Sequence, residues 1–410
     1  MKEIEENWNI GLEEIKAAQK VLRGMFEESP LIRSEILSTE LGCEVYLKLE
    51  NMLPIGAFKI RGAAYKISRL SSQEKKRGVI AASAGNHAQG VAWGCRFHGV
   101  NAKIVMPETA PITKVLRTQK FGAEVVLHGS NYDEAYDHAV NLGKKENRVF
   151  VHPFRDPDII AGQGTIGLEI LEQMGAPDFV IGSIGGGGHM AGISIVMKAL
   201  SPETILIGAQ AAGAPSMAKS FEAGKAVELD AVNTFADGIA VKRASEQMYQ
   251  ILKDGISEIR TADDFEIAGA IVNLLESGKV IAEGAGALPL AILNRDRKDF
   301  LGKKVVLVIS GGNIDVNVLG RIIDQALIQS GRRLRLDIEV GDRPGQLSRM
   351  ATIVGQLGGN VLQAIHDRNY SSVHLDRTKI SLTLETKGTD HSKELISALK
   401  NEFSSVEVLN

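Results

Sequence analysis

Cysteine is scarce in this sequence, and the two cysteines present follow no recognised binding pattern. The chain has 410 residues, and its only cysteines, Cys43 and Cys95, lie in no CxxC or Cys/His spacing. A disulfide framework and a structural zinc site are therefore not expected. This cysteine usage is typical of a protein that stays in the reducing cytoplasm.

Long hydrophobic runs and a strong excess of one charge are also missing. The most apolar segments, such as DFVIGSIGGGG and KKVVLVISGGN, are about half as long as the ~20 residues that cross a bilayer. The start, MKEIEENWNIGLEEIKAAQK, is acidic and helical in period, unlike a secretory signal. A formal net charge of -3 gives no electrostatic reason to bind nucleic acid or an anionic membrane. We therefore expect neither partner.

The composition is that of a globular protein with more than one domain. Hydrophobic residues make up 44% of the chain and charged residues 24%. At about 150 residues per domain, a chain of this length favours two or three domains. The chain is long enough to be an enzyme with a regulatory part.

From about Val79 the sequence repeats a short apolar run, a glycine-rich turn and a segment of helical period. Examples are GVIAASAGNHAQGVAWGCRFHG, AKIVMPETAPITKVLRTQKFG and DFVIGSIGGGGHMAGISIVMKALS. Alternating strands and helices predict parallel sheets with helices on both faces. Ligands of such sheets bind beyond the carboxyl ends of the strands, so the strand-to-helix turns are the places to search for a site.

The pattern changes after IDQALIQSGRR. From Arg333 to Val340, RLRLDIEV alternates charged and apolar residues, which is typical of a half-buried antiparallel strand. A helix follows, and its apolar face consists of Leu347, Met350, Ala351, Val354 and Leu357. The next predicted elements are the strands GNVLQAIHDR and TKISLTLET, the helix SKELISALKNEF and the strand VEVL. We predict a separate βαββαβ domain.

Four consecutive glycines in SIGGGGHMAG stand between an apolar strand and a helix. Such a run costs backbone entropy, and it favours a backbone that approaches a ligand with its N–H groups at a helix N-terminus. We interpret it as a phosphate site, although a flexible loop is the alternative. It is neither a G-x-G-x-x-G fingerprint nor a Walker loop.

Three further turns carry small or polar residues that a ligand could contact. ASAGNHAQG has Ser83, Asn86 and His87 in a turn whose amides are open to an anion. ISGGN ends a buried strand at Ser310, and IAEGAGAL has Glu283 before a helix, either as a helix N-terminal acid or as a pocket carboxylate. Lys59 lies in IGAFKIRGA, between glycines. By itself it is more simply a solvated surface lysine.

Taken in order, GAFKIRGA, ASAGNHAQGVA, GGGGHMAG, EGAGAL and SGGNID resemble the motifs of the threonine/serine dehydratases. These are enzymes of the tryptophan synthase β-like fold that use pyridoxal 5′-phosphate (PLP). The resemblance covers about residues 15–325. The C-terminal part, with DRPGQL after its first strand, resembles an ACT domain, which binds small effectors such as amino acids.

The resemblance implies an α/β fold with two parallel-sheet subdomains and a C-terminal ACT domain. The implied catalytic domain is 1–328, with a small subdomain at about 70–155 inserted in the large one, and the implied regulatory domain is 329–410. It also implies a cytoplasmic homo-oligomer, a dimer or a tetramer, with an amino-acid substrate and an amino-acid effector.

The resemblance also implies the site residues. Lys59, beside Phe58, is implied as the catalytic lysine that forms a Schiff base with PLP. The residues implied to bind the cofactor are Phe58, Lys59, Asn86 at the ring 3′-oxygen, Gly185, Gly186, Gly187, Gly188 and His189 at the phosphate, and Ser310 at the pyridine nitrogen. The loop implied to hold the substrate carboxylate consists of Ser83, Ala84, Gly85, Asn86 and His87.

Ser310 and three departures from the family bear on the reaction type. A serine at the pyridine nitrogen leaves it neutral, which favours β-elimination over transamination. Ala57 and His189 replace the usual serine and the usual leucine or methionine, without removing a reacting group. Ala84 stands where the serine racemases of the family have a second serine, so efficient racemisation is not expected. Gln210 replaces a carboxylate of their divalent-metal site, so no such ion is expected.

The resemblance thus implies a threonine ammonia-lyase with serine as a secondary substrate. Serine dehydration or racemisation and β-replacement on the same fold are alternatives, and an ACT-based sensor without activity is the non-enzyme alternative. The sequence leaves three points open for such an enzyme. They are whether it serves isoleucine synthesis or catabolism, whether its effector is isoleucine, valine or another amino acid, and whether it prefers threonine or serine.

Overall fold

The computed structural model describes Trp8 and residues 10–367 and 376–409, which fold into two compact units, Met1–Ile314 and Asp315–Asn410. The part of the acidic start before Trp8, predicted to be helical, lies outside the described residues. Among the described residues, no helix has both the length and the apolar character needed to span a membrane.

The first unit alternates strands and helices along most of its length. Its helices are α1 (Leu12–Leu22), α2 (Glu35–Leu41), α3 (Lys59–Arg69), α4 (Ser72–Arg77), α5 (Asn86–His98), α6 (Ile112–Lys120), α7 (Tyr132–Lys145), α8 (Pro157–Met174), α9 (Gly188–Leu200), α10 (Ser216–Ala223), α11 (Glu246–Gly255), α12 (Asp264–Asn273) and α13 (Gly284–Arg295). Its strands are β1 (Leu31–Arg33), β2 (Glu44–Leu49), β3 (Val79–Ala82), β4 (Ala102–Met106), β5 (Glu124–Leu127), β6 (Val149–Phe150), β7 (Phe179–Ser183), β8 (Ile205–Ala211), β9 (Glu258–Ala262) and β10 (Lys304–Ile309).

These strands form two sheets. The larger sheet has the order β1-β2-β10-β7-β8-β9 and the smaller one β5-β4-β3-β6. Apart from β1, which pairs antiparallel with β2, the described pairs in both sheets are parallel. The prediction of parallel sheets is therefore confirmed. Strand β10 lies between β2 and β7, which brings the end of the unit's chain back to the centre of the larger sheet.

Helix α3, which begins at Lys59, packs closely against α8. A Cβ atom added to Gly62 would lie 2.6 Å from the carbonyl oxygen of Ile159, and one added to Gly162 would lie 2.6 Å from the Cα of Gly62. Real Cβ atoms do not come this close to backbone, so only glycine permits this helix spacing. The position of α3, and of the lysine at its start, is thus set by backbone contact.

A cluster of four buried charges also anchors α3. Arg61 binds Glu50 through Nε (2.6 Å) and Glu169 through Nη1 (2.5 Å), and Lys48 Nζ lies 2.6 Å from Glu169. The four side chains are at most 3% exposed. The two cations and two carboxylates balance, which is the condition under which buried charges are tolerated. The cluster connects β2, α3 and α8.

The second unit confirms the predicted βαββαβ order. It contains α14 (Val316–Gln329), β11 (Arg333–Gly341), α15 (Gln346–Gln356), β12 (Asn360–Asp367), β13 (Arg377–Glu385), α16 (Thr389–Glu402) and β14 (Val406–Val408). The sheet is antiparallel, in the order β12-β13-β11-β14. In β11 the apolar residues of RLRLDIEV are buried, as the alternation predicts. The predicted strand GNVLQAIHDR is observed as far as Asp367, and Arg368 lies outside the described residues.

Candidate active site

The predicted turns converge around the start of α3. The backbone N–H of Phe58 donates to the carbonyl of Ser310 (3.0 Å), and Ala57 pairs with Gly311 in an isolated antiparallel bridge. Parallel strands end at the same edge of a sheet, so the turns after β7 and β10 lie side by side. The segment before Lys59 is therefore attached to the end of β10, beside the turn that follows β7.

Lys59 is the first residue of α3, and its environment makes its amine easier to deprotonate than that of a lysine in water. Its Nζ donates to the carbonyl oxygen of Pro153 (3.0 Å) and lies 5.0 Å from the centre of the Phe58 ring. Burial lowers the pKa of the Lys59 amine to about 8, although Glu283 acts in the opposite direction. A neutral amine is nucleophilic and basic, so Lys59 is equipped for chemistry that an ordinary surface lysine does not perform.

The tetraglycine turn leads from β7 into α9 without room for side chains. Gly187 has φ of +93°, and a Cβ added to Gly186 would lie 2.2 Å from the ring of Phe154. Helix α9 begins at Gly188, and no side chain of the described residues caps its N-terminus. The amides of its first turn have no acceptor inside the helix. They are suited to a bound anion such as a phosphate.

His189 follows the glycines, and its side chain points away from that role. Its Nδ1 lies 3.2 Å from the carbonyl oxygen of Ser183, and its ring packs against Phe58 with the ring centres 4.6 Å apart. Burial lowers the pKa of His189 to about 4, so the imidazole is neutral near pH 7. Among the groups of His189, its backbone amide is the one suited to an anion.

Asn86 stands at the start of α5, with its side-chain amide bound at both ends. Its Nδ2 donates to Glu283 Oε1 (2.8 Å), and its Oδ1 accepts from Asn313 Nδ2 (2.8 Å). Burial, followed by the charge of Asp237, raises the pKa of Glu283 to about 7. Sequence reasoning left Glu283 open between a helix acid and a pocket carboxylate, and its contact with Asn86 places it in the site.

The rest of the loop from Ser83 to His87 presents backbone rather than side chains. The amide of Gly85 donates to Ser83 Oγ (3.1 Å), and a Cβ added to Gly85 would meet no atom within 4 Å. His87 is buried, its Nε2 lies 3.0 Å from the carbonyl oxygen of Val151, and burial lowers the pKa of its ring to about 3. Ala84 is half-buried. The open space beside Gly85 is a place where a small ligand can approach.

Two further features of the site were not predicted from the sequence. Lys114 on α6 forms an ion pair with Asp237, so that helix α6, beside the smaller sheet, is joined to the turn Asp237–Ile239. Asn313, quoted in the SGGN motif but assigned no role, binds Asn86. An asparagine directly after a strand-end glycine pair was the available signal for Asn313. Nothing in the sequence pairs Lys114 with Asp237, since they are far apart along the chain.

A family model described as pyridoxal-phosphate dependent enzyme matches residues 23–311, which lie within the first unit. The chain belongs to this family. This PLP-dependent enzyme is similar to the L-threonine ammonia-lyase of Thermotoga maritima, with 47% identity over 387 residues, 94% of this chain and 96% of the relative. It is 41% identical to a catabolic L-threonine dehydratase of Escherichia coli over 76% of this chain and 96% of that protein.

A solved structure agrees with this assignment. The processed form of threonine deaminase isoform 2 from Solanum lycopersicum superposes with a TM-score of 0.74 and 35% identity, over 80% of this chain and 94% of that chain. This likeness, together with the family match, confirms the predicted tryptophan synthase β-like architecture.

The arrangement fits pyridoxal phosphate. The uncapped N-terminus of α9 suits the phosphate, and the lysine amine with a lowered pKa suits the aldehyde. The second N–H of the Asn86 amide, beyond the one bound to Glu283, is available to a ring oxygen. Gln210, which was predicted to replace a metal-binding carboxylate, binds backbone at both ends of its amide, donating to the carbonyl of Ile184 (3.2 Å) and accepting from the N–H of Ala218 (2.8 Å).

Proposed function

We propose that this PLP-dependent enzyme is an L-threonine ammonia-lyase, which converts L-threonine to 2-oxobutanoate and ammonia, and L-serine to pyruvate more slowly. The observation that carries the proposal is the convergence of Lys59, Asn86, the tetraglycine turn and Ser310 in one site. The relatives of the same activity, which match over most of their length, support the choice of substrate.

We infer the following placement for the cofactor. The amides of Gly185, Gly186, Gly187, Gly188 and His189 hold the phosphate, since the α9 N-terminus carries a partial positive charge. Asn86 donates to the ring oxygen, and the Ser310 hydroxyl faces the pyridine nitrogen. Phe58 and Lys59 lie against the ring, with Lys59 as the residue that bonds to it.

The residues of the chain then perform the elimination. Bound pyridoxal phosphate withdraws electrons from the Cα of an attached amino acid and so makes its proton acidic. The amides from Ser83 to His87 hold the substrate carboxylate, and the Lys59 amine takes the Cα proton. The electrons of the broken C–H bond form the Cα–Cβ double bond, and the Cβ hydroxyl takes a proton from the Lys59 ammonium and leaves as water. The released enamine becomes an imine, and water converts it to the oxo acid and ammonia.

Ser310 favours elimination because a hydroxyl leaves the pyridine nitrogen neutral. We expect Ser310→Asp, which introduces an anion beside that nitrogen, to lower kcat by at least about tenfold, equivalent to about 1.4 kcal/mol of activation free energy. Cofactor content should remain near that of the parent enzyme. Absorbance spectra and steady-state kinetics provide the measurement. Ser310→Ala is the matched control, because it removes the hydroxyl without adding charge. Equal kinetics for Ser310→Asp and the parent enzyme would show that residue 310 does not face the ring nitrogen.

The proposed substrate is tested directly by steady-state kinetics. Purified enzyme loaded with pyridoxal phosphate should form 2-oxobutanoate from L-threonine with a higher kcat/KM than it forms pyruvate from L-serine. Formation of D-serine from L-serine should be negligible, because Ala84 offers no hydroxyl to protonate the opposite face of Cα. Turnover of O-acetylserine with sulfide, in preference to threonine, would instead indicate a β-replacement enzyme.

For the C-terminal part we propose a regulatory role. We assign 1–328 to catalysis, with a small subdomain at about 70–155, and 329–410 to an ACT domain in a cytoplasmic homo-oligomer, a dimer or a tetramer. Two observations on the second unit support an effector site: α15 starts beside Gly345 directly after β11, and a cavity of about 640 Å³ lies at this turn. Its lining includes cations such as Arg343 and carboxylates such as Asp342, and Arg349 is paired with Glu402. A lining with both charges, beside helix N-terminal amides, suits an amino acid, which carries an ammonium and a carboxylate.

Removal of the C-terminal part separates regulation from catalysis. A chain cut near Gly331 should still bind pyridoxal phosphate and dehydrate threonine, because the family match ends at residue 311. It should lose any response of kcat or KM to isoleucine or valine, since an effector acts only through a site that it binds. Activity titrations of both chains with each amino acid provide the measurement. If the shortened enzyme responds like the full chain, the effector binds in the catalytic part.

A further inference from the structure

The amide of Asn86 is the centre of a short chain of hydrogen bonds with a defined direction. Asn313 Nδ2 donates to the carbonyl oxygen of Ile55 (2.8 Å) and to Asn86 Oδ1 (2.8 Å). Asn86 Nδ2 then donates to Glu283 Oε1 (2.8 Å). Ile55 lies just before α3, Asn313 follows β10, Asn86 starts α5 and Glu283 precedes α13. The chain of bonds therefore joins four separate segments of the first unit.

The two ends of this chain determine how both amides are oriented. A backbone carbonyl only accepts, so the group of Asn313 that faces Ile55 has to be its NH₂. The same NH₂ group of Asn313 faces Asn86, so Asn86 has to accept this hydrogen bond with its side-chain oxygen. At the other end the Glu283 carboxylate, when ionised, only accepts, so it requires the NH₂ of Asn86. Both ends of the chain select the same orientation of the Asn86 amide. If this amide were rotated by a half turn, its NH₂ would face the NH₂ of Asn313 and its oxygen would face the carboxylate of Glu283.

Packing leaves Glu283 little freedom to move away from Asn86. The Glu283 side chain is buried, and a Cβ added to Gly311 would lie 2.6 Å from its Oε1. On the other side there is room for ordinary contact only, since a Cβ added to Gly238 would lie 3.5 Å from the same oxygen. The carboxylate is thus confined between the turn after β10 and the turn Asp237–Ile239. Its contact with Asn86 is built into the packing of the site.

We propose that Glu283 and Asn313 are positioning residues that hold the Asn86 amide with its second N–H directed at the ring oxygen of the cofactor. This rests on the proposed cofactor site, in which Asn86 contacts that oxygen. Without the two partners, the Asn86 amide rotates and presents its oxygen to the ring oxygen in part of the molecules. The contact is then lost in that fraction, and cofactor affinity falls although Asn86 itself is unchanged.

A double-mutant cycle on cofactor binding tests the proposal. Apoenzymes carrying Asn313→Ala, Asn86→Ala or both are titrated with pyridoxal phosphate, and the apparent dissociation constant and the absorbance maximum of the bound cofactor are measured. Measurements at about pH 8.5 keep the Glu283 carboxylate ionised, because its pKa is about 7. We expect Asn313→Ala to weaken binding by about tenfold in the parent enzyme and to have almost no effect once Asn86 is alanine.

Variants of Glu283 distinguish orientation from charge. Glu283→Gln retains an oxygen that accepts from Asn86, so it should lose clearly less affinity than Glu283→Ala. Equal losses for the two variants would show that the negative charge is what matters and would overturn the positioning role. Thermal unfolding of each apoenzyme checks that the variants remain folded at the temperature of the titration.

Asn51→Ala is the matched control. Asn51 Nδ2 donates to the carbonyl oxygen of Ile281 (2.9 Å), two residues before Glu283, and its Oδ1 has no hydrogen-bond partner among the described residues. The effect of Asn51→Ala on the free energy of cofactor binding should be the same whether residue 86 is asparagine or alanine. If Asn86→Ala itself leaves binding unchanged, the proposed cofactor site is wrong. If Asn86→Ala weakens binding and Asn313→Ala adds its full effect on top, the cofactor site stands and the positioning role is rejected.

Discussion

Replacing Lys59 with alanine is expected to abolish threonine turnover together with the visible absorbance of the bound cofactor. The Lys59 amine both bonds to the cofactor and takes the Cα proton in the proposed function, and burial has lowered its pKa to about 8. Loss of a general base alone costs about 10²–10⁴ in rate, and loss of the covalent attachment adds to it. Absorbance spectra of the reconstituted variant and assays of 2-oxobutanoate provide the two measurements.

Lys59→Arg is the control for charge and size. Arginine keeps a cation at the start of α3, but a guanidinium is not deprotonated in proteins and cannot act as the amine. The arginine variant should therefore be as inactive as the alanine variant. Visible absorbance that persists in both variants would mean that a different lysine carries the cofactor, and the assignment of Lys59 would then be wrong.

Replacing Glu169 with glutamine is expected to produce a large loss of stability. Glu169 accepts hydrogen bonds from Lys48 (2.6 Å) and Arg61 (2.5 Å) inside the protein. Burial acts to raise the pKa of Glu169, but the charge and hydrogen bonds of Arg61 and Lys48 hold this pKa below its ordinary value. The substitution leaves two buried cations facing only Glu50. Breaking such a network costs about 3–5 kcal/mol, measured as a shift of the urea or thermal unfolding transition.

Glu13→Gln is the matched control for this loss. Glu13 forms an ion pair with Lys16 (2.8 Å), but the two side chains are 78% and 48% exposed. Water and salt screen an exposed pair, so its removal should change the free energy of unfolding by less than about 1 kcal/mol. Similar shifts for the two substitutions would show that the buried cluster is not a source of stability.

Much of the fold was predictable because strands and helices leave local patterns. The alternation in RLRLDIEV predicted β11 correctly, since every second side chain of a half-buried strand faces the core. The tetraglycine run predicted a turn between β7 and α9, which the structure confirms. The roles of Lys59, Asn86, the tetraglycine residues and Ser310 came from the order of five motifs, and these roles remain predictions for the experiments above.

The partners of the charged groups were not predictable in the same way. In EVYLKLEN, Lys48 and Glu50 look like the solvent-facing residues of an alternating strand, yet both are buried. Their environment depends on Arg61 and on Glu169, which lies 121 positions from Lys48 in the chain. Burial of a charge depends on whether an opposite charge arrives from another element, and a sequence pattern does not report that.

The sequence by itself determined the order of elements, the parallel sheets and the family, and it supplied the residues that we propose to bind the cofactor. Only the tertiary structure decided which groups act on those residues, namely Glu283 and Asn313 on Asn86 and Pro153 on Lys59. It also paired Lys114 with Asp237, neither of which the sequence had placed in the site. The physical reason is the range of the interactions. Periodicity and turn chemistry act between near neighbours in the chain, whereas hydrogen-bond direction, pKa shifts and ion pairing depend on atoms within a few ångströms in space, which the fold collects from distant segments.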